Sequence, residues 1–302
     1  MSDSAIKNLA PGELGRVVII GYGLIGSSLA RVILRDNLAS ELVCVDGSAE
    51  VRAKAMELKI AHRATDDLAT EAAIADLIII ATPIGAVRQI AEVLGKVVRP
   101  ATVITDVCSV KVAVADALRQ FLPHHRRTVP AHPIAGTEFS GPEAGFAEVF
   151  NNRWCILTPE AEVEDSALNQ IKSLWQHCGS NLAEMSSEHH DRVLAITSHL
   201  PHLIAYTIVG TVTDLGTELQ SEIIKYSASG FRDFTRIAAS DPVMWRDVFL
   251  NNREPVLEMV MRLQEDLAIM QRAIRTGDGK TLQEHFSRTR AIRRSIIAAN
   301  QA

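Results

Sequence analysis

Over its first 186 residues the chain alternates short apolar runs with longer amphipathic stretches, and then the alternation stops. Residues 16–20, RVVII, form a continuous apolar run that ends directly in GYGLIGSSLARVIL, a glycine-rich turn that opens a helix. Further runs stand at ELVCVD (41–46), ADLIIIATP (75–83), ATVITDV (101–107), RWCILTP (153–159) and SNLAEMS (180–186), and RTVPA (127–131) is strand-like as well. Between them, stretches such as AEVRAKAMEL and VKVAVADALRQFL read as helices. Strands buried on both faces appear as unbroken apolar runs, so this half is predicted to be a doubly wound α/β domain with a parallel sheet.

After about Ser187 the pattern becomes helical. HHDRVLAITSHLPHLIAYTIVGTVTDL has helical length and no strand alternation, and SDPVMWRDVFLNNREPVLEMVMRLQEDLAIMQRAI is a second long tract. Ser240 or Asp241 can cap the latter and Pro242 suits its first position, whereas Pro255 should bend or break it. Val256, Leu257, Val260, Leu263, Leu267, Met270 and Ile274 recur at helical spacing. GDGK (277–280) is a turn before a last helix. The predicted organisation is residues 1–186, α/β, followed by residues 187–302, all helical.

Composition narrows the class. The chain has 302 residues, 47% of them hydrophobic, with a net charge of −5 and no basic block, which argues against nucleic acid or an anionic membrane as the main partner. No run of about 18 uncharged apolar residues predicts a membrane span, and MSDSAIKNLAPGELG lacks the charged-then-apolar pattern of a secretory signal. Four widely spaced cysteines without a CxxC pair suit neither a zinc site nor a disulfide framework and fit a reducing cytoplasm.

Gly21, Gly23 and Gly26 form G-x-G-x-x-G between a strand and a helix. The first glycine permits the tight turn, the second lets a backbone approach a pyrophosphate, and the third lets helix pack on strand. The helix start at Leu24 and Ile25 then offers free N–H groups to phosphate. Alone the motif is weak, and a glycine-rich βα turn is the bland alternative. Asp46, at the end of the second strand and 20 residues past Gly26, stands where a carboxylate binds the adenine ribose hydroxyls. A carboxylate there repels a 2′-phosphate, so NAD is expected over NADP, with Arg52 the one nearby cation that would admit NADP. Thr82 and Pro83, in ATPI, end the third strand on the ligand side of such a Rossmann sheet.

A nicotinamide enzyme that oxidises an alcohol needs a base for the hydroxyl proton, and histidine suits that task. Of ten histidines, His124, His125, His189 and His190 sit among polar neighbours and read as solvated, and His62, His177 and His285 have no evident partner. His132 differs: it stands in VPAHPIAGTEFSGP, a proline-bounded turn at the edge of the α/β half. TSHLPH puts His199 and His202 at i, i+3 with Ser198 adjacent, and GFRDFTRIAASDPVMW puts Asp233 and Arg236 at i, i+3 before Trp245. Such a histidine pair is more often core or interface, and such an Asp–Arg pair more often a surface ion pair; an arginine beside a turn is equally a bidentate carboxylate receptor.

GYGLIGSSLA, ATPI, TDVCSVK, AHPIAGTEFSGPEAG, TSHLPH and GFRDFTRIAASDPVMW together resemble the prephenate/arogenate (cyclohexadienyl) dehydrogenases of tyrosine biosynthesis, from about residue 16 to past 250. The resemblance implies oxidative decarboxylation of prephenate or arogenate by hydride transfer to NAD. It implies that His132 takes the 4-hydroxyl proton and that Ser109 orients His132 and contacts the hydroxyl. Arg236 would bind a substrate carboxylate, with Asp233 orienting it or gating access. Ser198, His199 and His202 would meet the substrate's polar groups, Thr137 and Glu138 would stand at the pocket rim, and Trp245 matches a family position that core packing explains equally well. A homodimer through the helical domain is also implied. The rivals are another Rossmann enzyme with a helical C-terminal domain, of the β-hydroxyacid dehydrogenase or pyrroline-carboxylate reductase type, and a non-catalytic NAD-binding sensor.

Overall fold

The computed structural model describes residues 9–213 and 229–298; the last two residues of the first helical tract read from the sequence, 214 and 215, lie outside these. Six parallel strands, β1 (Arg16–Ile20), β2 (Glu41–Val45), β3 (Arg63–Thr65), β4 (Leu77–Ile80), β5 (Val103–Asp106) and β6 (Thr128–Val129), lie in the order β3-β2-β1-β4-β5-β6. Five helices connect or follow them: α1 (Leu24–Arg35), α2 (Ala49–Glu57), α3 (Leu68–Ile74), α4 (Ile84–Val97) and α5 (Val112–Phe121).

Alternate strand residues face opposite sides. Val17, Ile19, Leu42 and Leu77 join Leu29 and Ile33 of α1 in one apolar cluster, and Val18, Ile20, Ile78 and Ile80 join Val87, Ala91 and Leu94 of α4 in the other. The strand order reverses between β1 and β4, which opens a crevice at their carboxyl ends, the place where such sheets take ligands.

Two expected strands form elsewhere than the parallel sheet. β8 (Trp154–Leu157) and β9 (Asn181–Glu184), joined by α6 (Asp165–His177), build a separate three-stranded sheet with β7 (Ala131–Pro133), and β7 runs antiparallel to β8. Pro130 marks the change of sheet. It has no N–H to continue the ladder after Val129, and its carbonyl instead accepts from Thr158 N at 2.9 Å. The three-residue β3 carries no apolar run and was not expected.

The helical tract opens with α7 (Ser187–Leu194), continues through a π-helical turn at Ala195–His199, and runs on as α8 (Leu200–Thr213). Contrary to the sequence expectation, Ser187–Val212 is by length and composition apolar enough to cross a membrane. Its first turns nevertheless carry His190, Asp191 and His199, all buried within protein. After α9 (Ser229–Thr235), α10 (Pro242–Asn251) starts with Pro242 at its first position and Asp241 accepting from Met244 N at 2.7 Å, as expected. The helix breaks at Asn252, ahead of Pro255, which fits into the first turn of α11 (Arg253–Thr276), where its missing N–H is harmless. α12 (Gly279–Ala298) follows a turn in which Gly277 has φ 67°.

The chain divides into two compact units, Met1–Arg253 and Glu254–Ala302. The first holds both sheets and the helices to α10. The second is a pair of helices with Leu257, Met261, Leu267, Ile269, Ile274, Phe286 and Ile292 exposed.

Candidate active site

The glycine turn is built as the motif requires. Gly21 has φ 92°, and a β-carbon there would stand 2.7 Å from the Ala81 carbonyl oxygen. A β-carbon on Gly26 would overlap the Gly21 carbonyl oxygen and meet Ala81 Cβ at 3.1 Å, so α1 packs directly on the β1 turn. Gly23 differs: nothing lies within 4 Å of its absent β-carbon. It is also the N-cap of α1 with no side-chain cap, which leaves the first-turn N–H groups at Leu24 and Ile25 open to an anion. Asp46 closes the corner. Its Oδ2 accepts from Tyr22 N at 3.0 Å and its Oδ1 from Ser48 N at 2.9 Å, which holds both oxygens in place with lone pairs to spare for ribose hydroxyls. Arg52 donates to the Asp46 and Gly47 carbonyls at 2.7 and 3.1 Å and pairs with Asp66 at 3.2 Å, so its guanidinium is already engaged. Thr82, at the end of β4, has a buried hydroxyl oxygen with no hydrogen-bond partner, and Pro83 caps α4 beside it. An open glycine, an uncapped helix start, a fixed carboxylate and an orphaned hydroxyl fit a dinucleotide.

His132 sits on β7, buried, one residue past a locked backbone. Ala131 N donates to Asp106 Oδ1 at 3.2 Å, and Ala131 O accepts from Lys111 Nζ at 2.8 Å. Lys111 and Asp106 are themselves a fully buried, hydrogen-bonded ion pair. The Nδ1 of His132 lies 2.8 Å from Nε2 of His190, and the Nδ1 of His190 lies 2.8 Å from Asp191 Oδ1. Asp191 also accepts from Lys111 N and Val112 N at 2.8 and 2.9 Å, capping α5. Burial holds the His132 pKa well below the ordinary 6.5, with the charges of His190, Lys111 and His199 acting in the same direction. His190 is lowered too, by burial first, against the opposing bond to Asp191.

Reading His190 as solvated is therefore wrong, because the polarity of its chain neighbours does not report helix phase. Ser187, His190, Asp191, Leu194 and Ala195 fall at i, i+3, i+4, i+7 and i+8 and are all buried, so the two titratable residues lie on the core stripe of α7. Four further expectations fail. His177 Nε2 pairs with Asp36 at 2.9 Å, His62 Nδ1 accepts from Leu42 N at 2.8 Å, His285 Nδ1 lies 3.4 Å from an Arg288 guanidinium nitrogen, and His125 is half-buried with its Nδ1 3.1 Å from Thr128 Oγ1.

On the facing side, Asn252 donates from Nδ2 to the Asp191 carbonyl at 2.8 Å and lies 2.9 Å from His199 Nδ1. His199 Nδ1 is therefore an acceptor, and the ring carries its proton on Nε2, a buried donor with no hydrogen-bond partner. Burial lowers its pKa to about 4, although the Asp191 charge pulls the other way. His202 has the opposite polarity: its Nδ1 donates to the Ser198 carbonyl at 2.9 Å, which leaves Nε2 as an acceptor. Its ring stacks on Trp245 at 3.6 Å between centroids, and His199 meets the same indole edge-on at 6.0 Å. Ser198 and His199 belong to the π-turn, an irregularity frequent at functional sites, and His202 follows it on α8.

Arg236 pairs with Glu138 at 3.0 Å, joining two predicted residues that are 98 apart in sequence. Glu138, rather than Asp233, is thus the carboxylate on Arg236, and Asp233 is exposed. Thr137 is exposed as well, with its hydroxyl accepting from Phe139 N at 3.3 Å. Ser109 is half-buried, and the partner of His132 Nδ1 is His190.

Comparison with known proteins shows the family to which the chain belongs. Residues 29–184 match the family model for the nucleotide-binding domain of prephenate dehydrogenase, and residues 186–288 that for its dimerization domain. A cyclohexadienyl dehydrogenase from Zymomonas mobilis is 40% identical over 280 residues, covering 93% of this chain and 95% of the relative. A prephenate dehydrogenase from Bacillus subtilis is 32% identical, covering 89% of this chain and 73% of the relative. Among solved structures, prephenate dehydrogenase from Aquifex aeolicus in complex with hydroxyphenyl propionate and NAD+ superposes with a TM-score of 0.87 at 32% identity, covering 93% of this chain and 98% of that one.

Proposed function

The chain belongs to the prephenate dehydrogenase family, and from that premise we propose that it oxidatively decarboxylates prephenate, arogenate or both with NAD, in tyrosine biosynthesis. The observation that carries the proposal is His132: a buried, neutral imidazole whose Nδ1 is tied to His190, which leaves Nε2 as its remaining nitrogen. NAD, when bound, supplies the hydride acceptor. The residues of the chain do the rest. Gly23, Leu24 and Ile25 receive the pyrophosphate, Asp46 the ribose, and Thr82 and Pro83 line the nicotinamide side. His132 accepts the hydrogen bond of the substrate's 4-hydroxyl at Nε2 and takes its proton. Loss of hydride and proton makes the opposite ring carboxylate vinylogous to a ketone. It leaves as CO2, and the electron pair of that bond completes the aromatic ring.

Arg236 binds a substrate carboxylate, which competes with Glu138 for the guanidinium. His199 offers a donor and His202 an acceptor to the substrate's polar groups, with Ser198 and Ser109 beside them. Asp233 and Thr137 stand at the entrance, and Trp245 braces both histidines. Binding of the 2′-phosphate of NADP is opposed by Asp46 and not served by the engaged Arg52. A boundary at 186/187 is supported by the change from strands to helices there. A homodimer is supported by the description of the second matching family model and by the exposed apolar residues of α11 and α12. A cytoplasmic location is supported by the cysteine pattern. Membership of the family sets aside a β-hydroxyacid dehydrogenase and a non-catalytic sensor.

The test is kcat/KM with each of prephenate and arogenate, against NAD and NADP, together with His132→Asn. The wild type should reduce NAD, and the variant should lose roughly 100-fold or more in kcat, the scale of a lost general base. Activity surviving in the variant would sink the assignment.

A further inference from the structure

His132 can act as a base only if its free nitrogen, Nε2, carries no proton, and nothing in an isolated imidazole decides which nitrogen that is. We infer that Asp191, acting through His190, sets this tautomer; the inference rests on the role given to His132 above. The chain of assignments starts at Asp191. Both of its oxygens accept backbone N–H bonds, from Lys111 at 2.8 Å and Val112 at 2.9 Å, at the N-terminal end of α5, where the helix dipole favours an anion. A carboxylate in that position has no proton to give, so the Nδ1 of His190, 2.8 Å from Oδ1, donates. Neutral His190 then has a bare Nε2. That nitrogen lies 2.8 Å from the Nδ1 of His132, which must donate to it. The proton of His132 is thereby held on Nδ1, and its Nε2 is left as an acceptor facing no competitor in this chain of bonds.

The same chain handles the charge that catalysis creates. When the substrate O–H proton moves to His132 Nε2, the proton on His132 Nδ1 can pass to His190 Nε2. The positive charge then sits on His190, in direct contact with the Asp191 carboxylate. No other reactant is needed, and one proton is conserved throughout. His190 and Asp191 are positioning residues here, since neither touches the substrate in this scheme. Burial of both rings favours the neutral pair that the scheme starts from.

Two variants separate this from a structural role. His190→Gln places an amide oxygen where Nε2 was, so it still accepts from His132 but cannot take a proton; His190→Leu keeps the volume and accepts nothing. Nitrogen-15 NMR of histidine-labelled protein without cofactor reads the His132 tautomer directly. The proton is expected on Nδ1 in the wild type and His190→Gln, and lost from that fixed position in His190→Leu. The kcat of His190→Leu should fall on the order of 100-fold or more, as for a base shifted to its wrong tautomer, with KM little changed, and His190→Gln should recover part of it. The inference is overturned by a wild-type His132 protonated on Nε2, by a folded His190→Leu with near wild-type kcat, or by His190→Gln falling as far as His190→Leu. Should His190→Leu not fold, the wild-type and His190→Gln spectra still decide. A wild type inactive on prephenate and arogenate would instead refute the proposed function, with the tautomer measurement standing apart from it.

Discussion

Two glycines three residues apart should fail in opposite ways when replaced by alanine. At Gly26 a β-carbon would overlap the Gly21 carbonyl oxygen and press on Ala81, so α1 would have to move off β1. Both contacts involve the chain just past the carboxyl ends of β1 and β4, the two central strands, and overpacking of this kind costs about 1–3 kcal/mol. The upper end applies here, because the nearer neighbour is backbone rather than a flexible side chain. At roughly 2–4 °C per kcal/mol for a unit of this size, Gly26→Ala should lower Tm by roughly 6–12 °C without any cofactor present. At Gly23 a β-carbon meets nothing within 4 Å, and φ is −71°, which alanine adopts freely. Gly23→Ala should therefore melt like the wild type, or slightly above it because the unfolded chain is stiffened. Its β-carbon projects into the space through which a pyrophosphate approaches the α1 N-terminus, so the Kd for NAD should rise at least about tenfold, equivalent to roughly 1.4 kcal/mol. Differential scanning calorimetry without NAD and isothermal titration with it measure the two effects separately. Unchanged NAD affinity in Gly23→Ala would move the pyrophosphate away from this turn, and an unchanged Tm in Gly26→Ala would mean that α1 is free to slide.

Arg236→Ala should raise KM strongly with a smaller effect on kcat, because the lost contact is ground-state binding to a carboxylate; steady-state kinetics check this, and an unchanged KM would refute the role. Acidification should destabilise the protein. His132, His190, His199 and His202 all have pKa values lowered from 6.5, so below that pH the unfolded chain takes up protons that the folded chain refuses. Stability should fall as pH drops from 6.5 and level off only near the folded values, about 4 for His199, whose share alone is roughly 3 kcal/mol. Melting temperatures at pH 7, 6 and 5 test the sign. Lys111→Met should cost about 3–5 kcal/mol by leaving the buried Asp106 charge unpaired, and Asp106→Asn in the same chain should restore much of it, as chemical denaturation would show.

Sequence alone carried the local features furthest. The glycine turn, Asp46 and the apolar strands β1, β2, β4 and β5 are legible because each depends on a few consecutive residues. The Asp241–Pro242 start of α10 is legible for the same reason. The second sheet was not, because the antiparallel pairing of β7 with β8 depends on a partner more than 20 residues away. Pro130 was the local sign that the first sheet ends there. Arg236 and Glu138 were each picked out singly, but nothing in a sequence says that they meet. Lys111 and Asp106 were passed over because charged residues are ordinarily exposed. They are buried because the end of β5 and the start of α5 enclose them, where each supplies the other's charge and Ala131 takes up a remaining donor and acceptor.

His190 and Asp191 carry the larger lesson. The polar neighbours of His190 argued for solvent, whereas the phase of both residues on α7 argues for the core, and the phase prevails because burial follows the helix face. Once buried, Asp191 does more than cap α5. Its carboxylate orders His190 and His132, and its carbonyl, through Asn252, orders His199. One residue thus fixes an acceptor at His132 Nε2 and a donor at His199 Nε2, while the Ser198 carbonyl fixes an acceptor at His202 Nε2. A substrate that carries a hydroxyl to give and carboxylate or carbonyl oxygens to receive is recognised by that alternation of polarity. Three histidines with interchangeable rings acquire distinct roles from their partners, so the specificity of the site resides in hydrogen-bond direction, which residue identity does not encode.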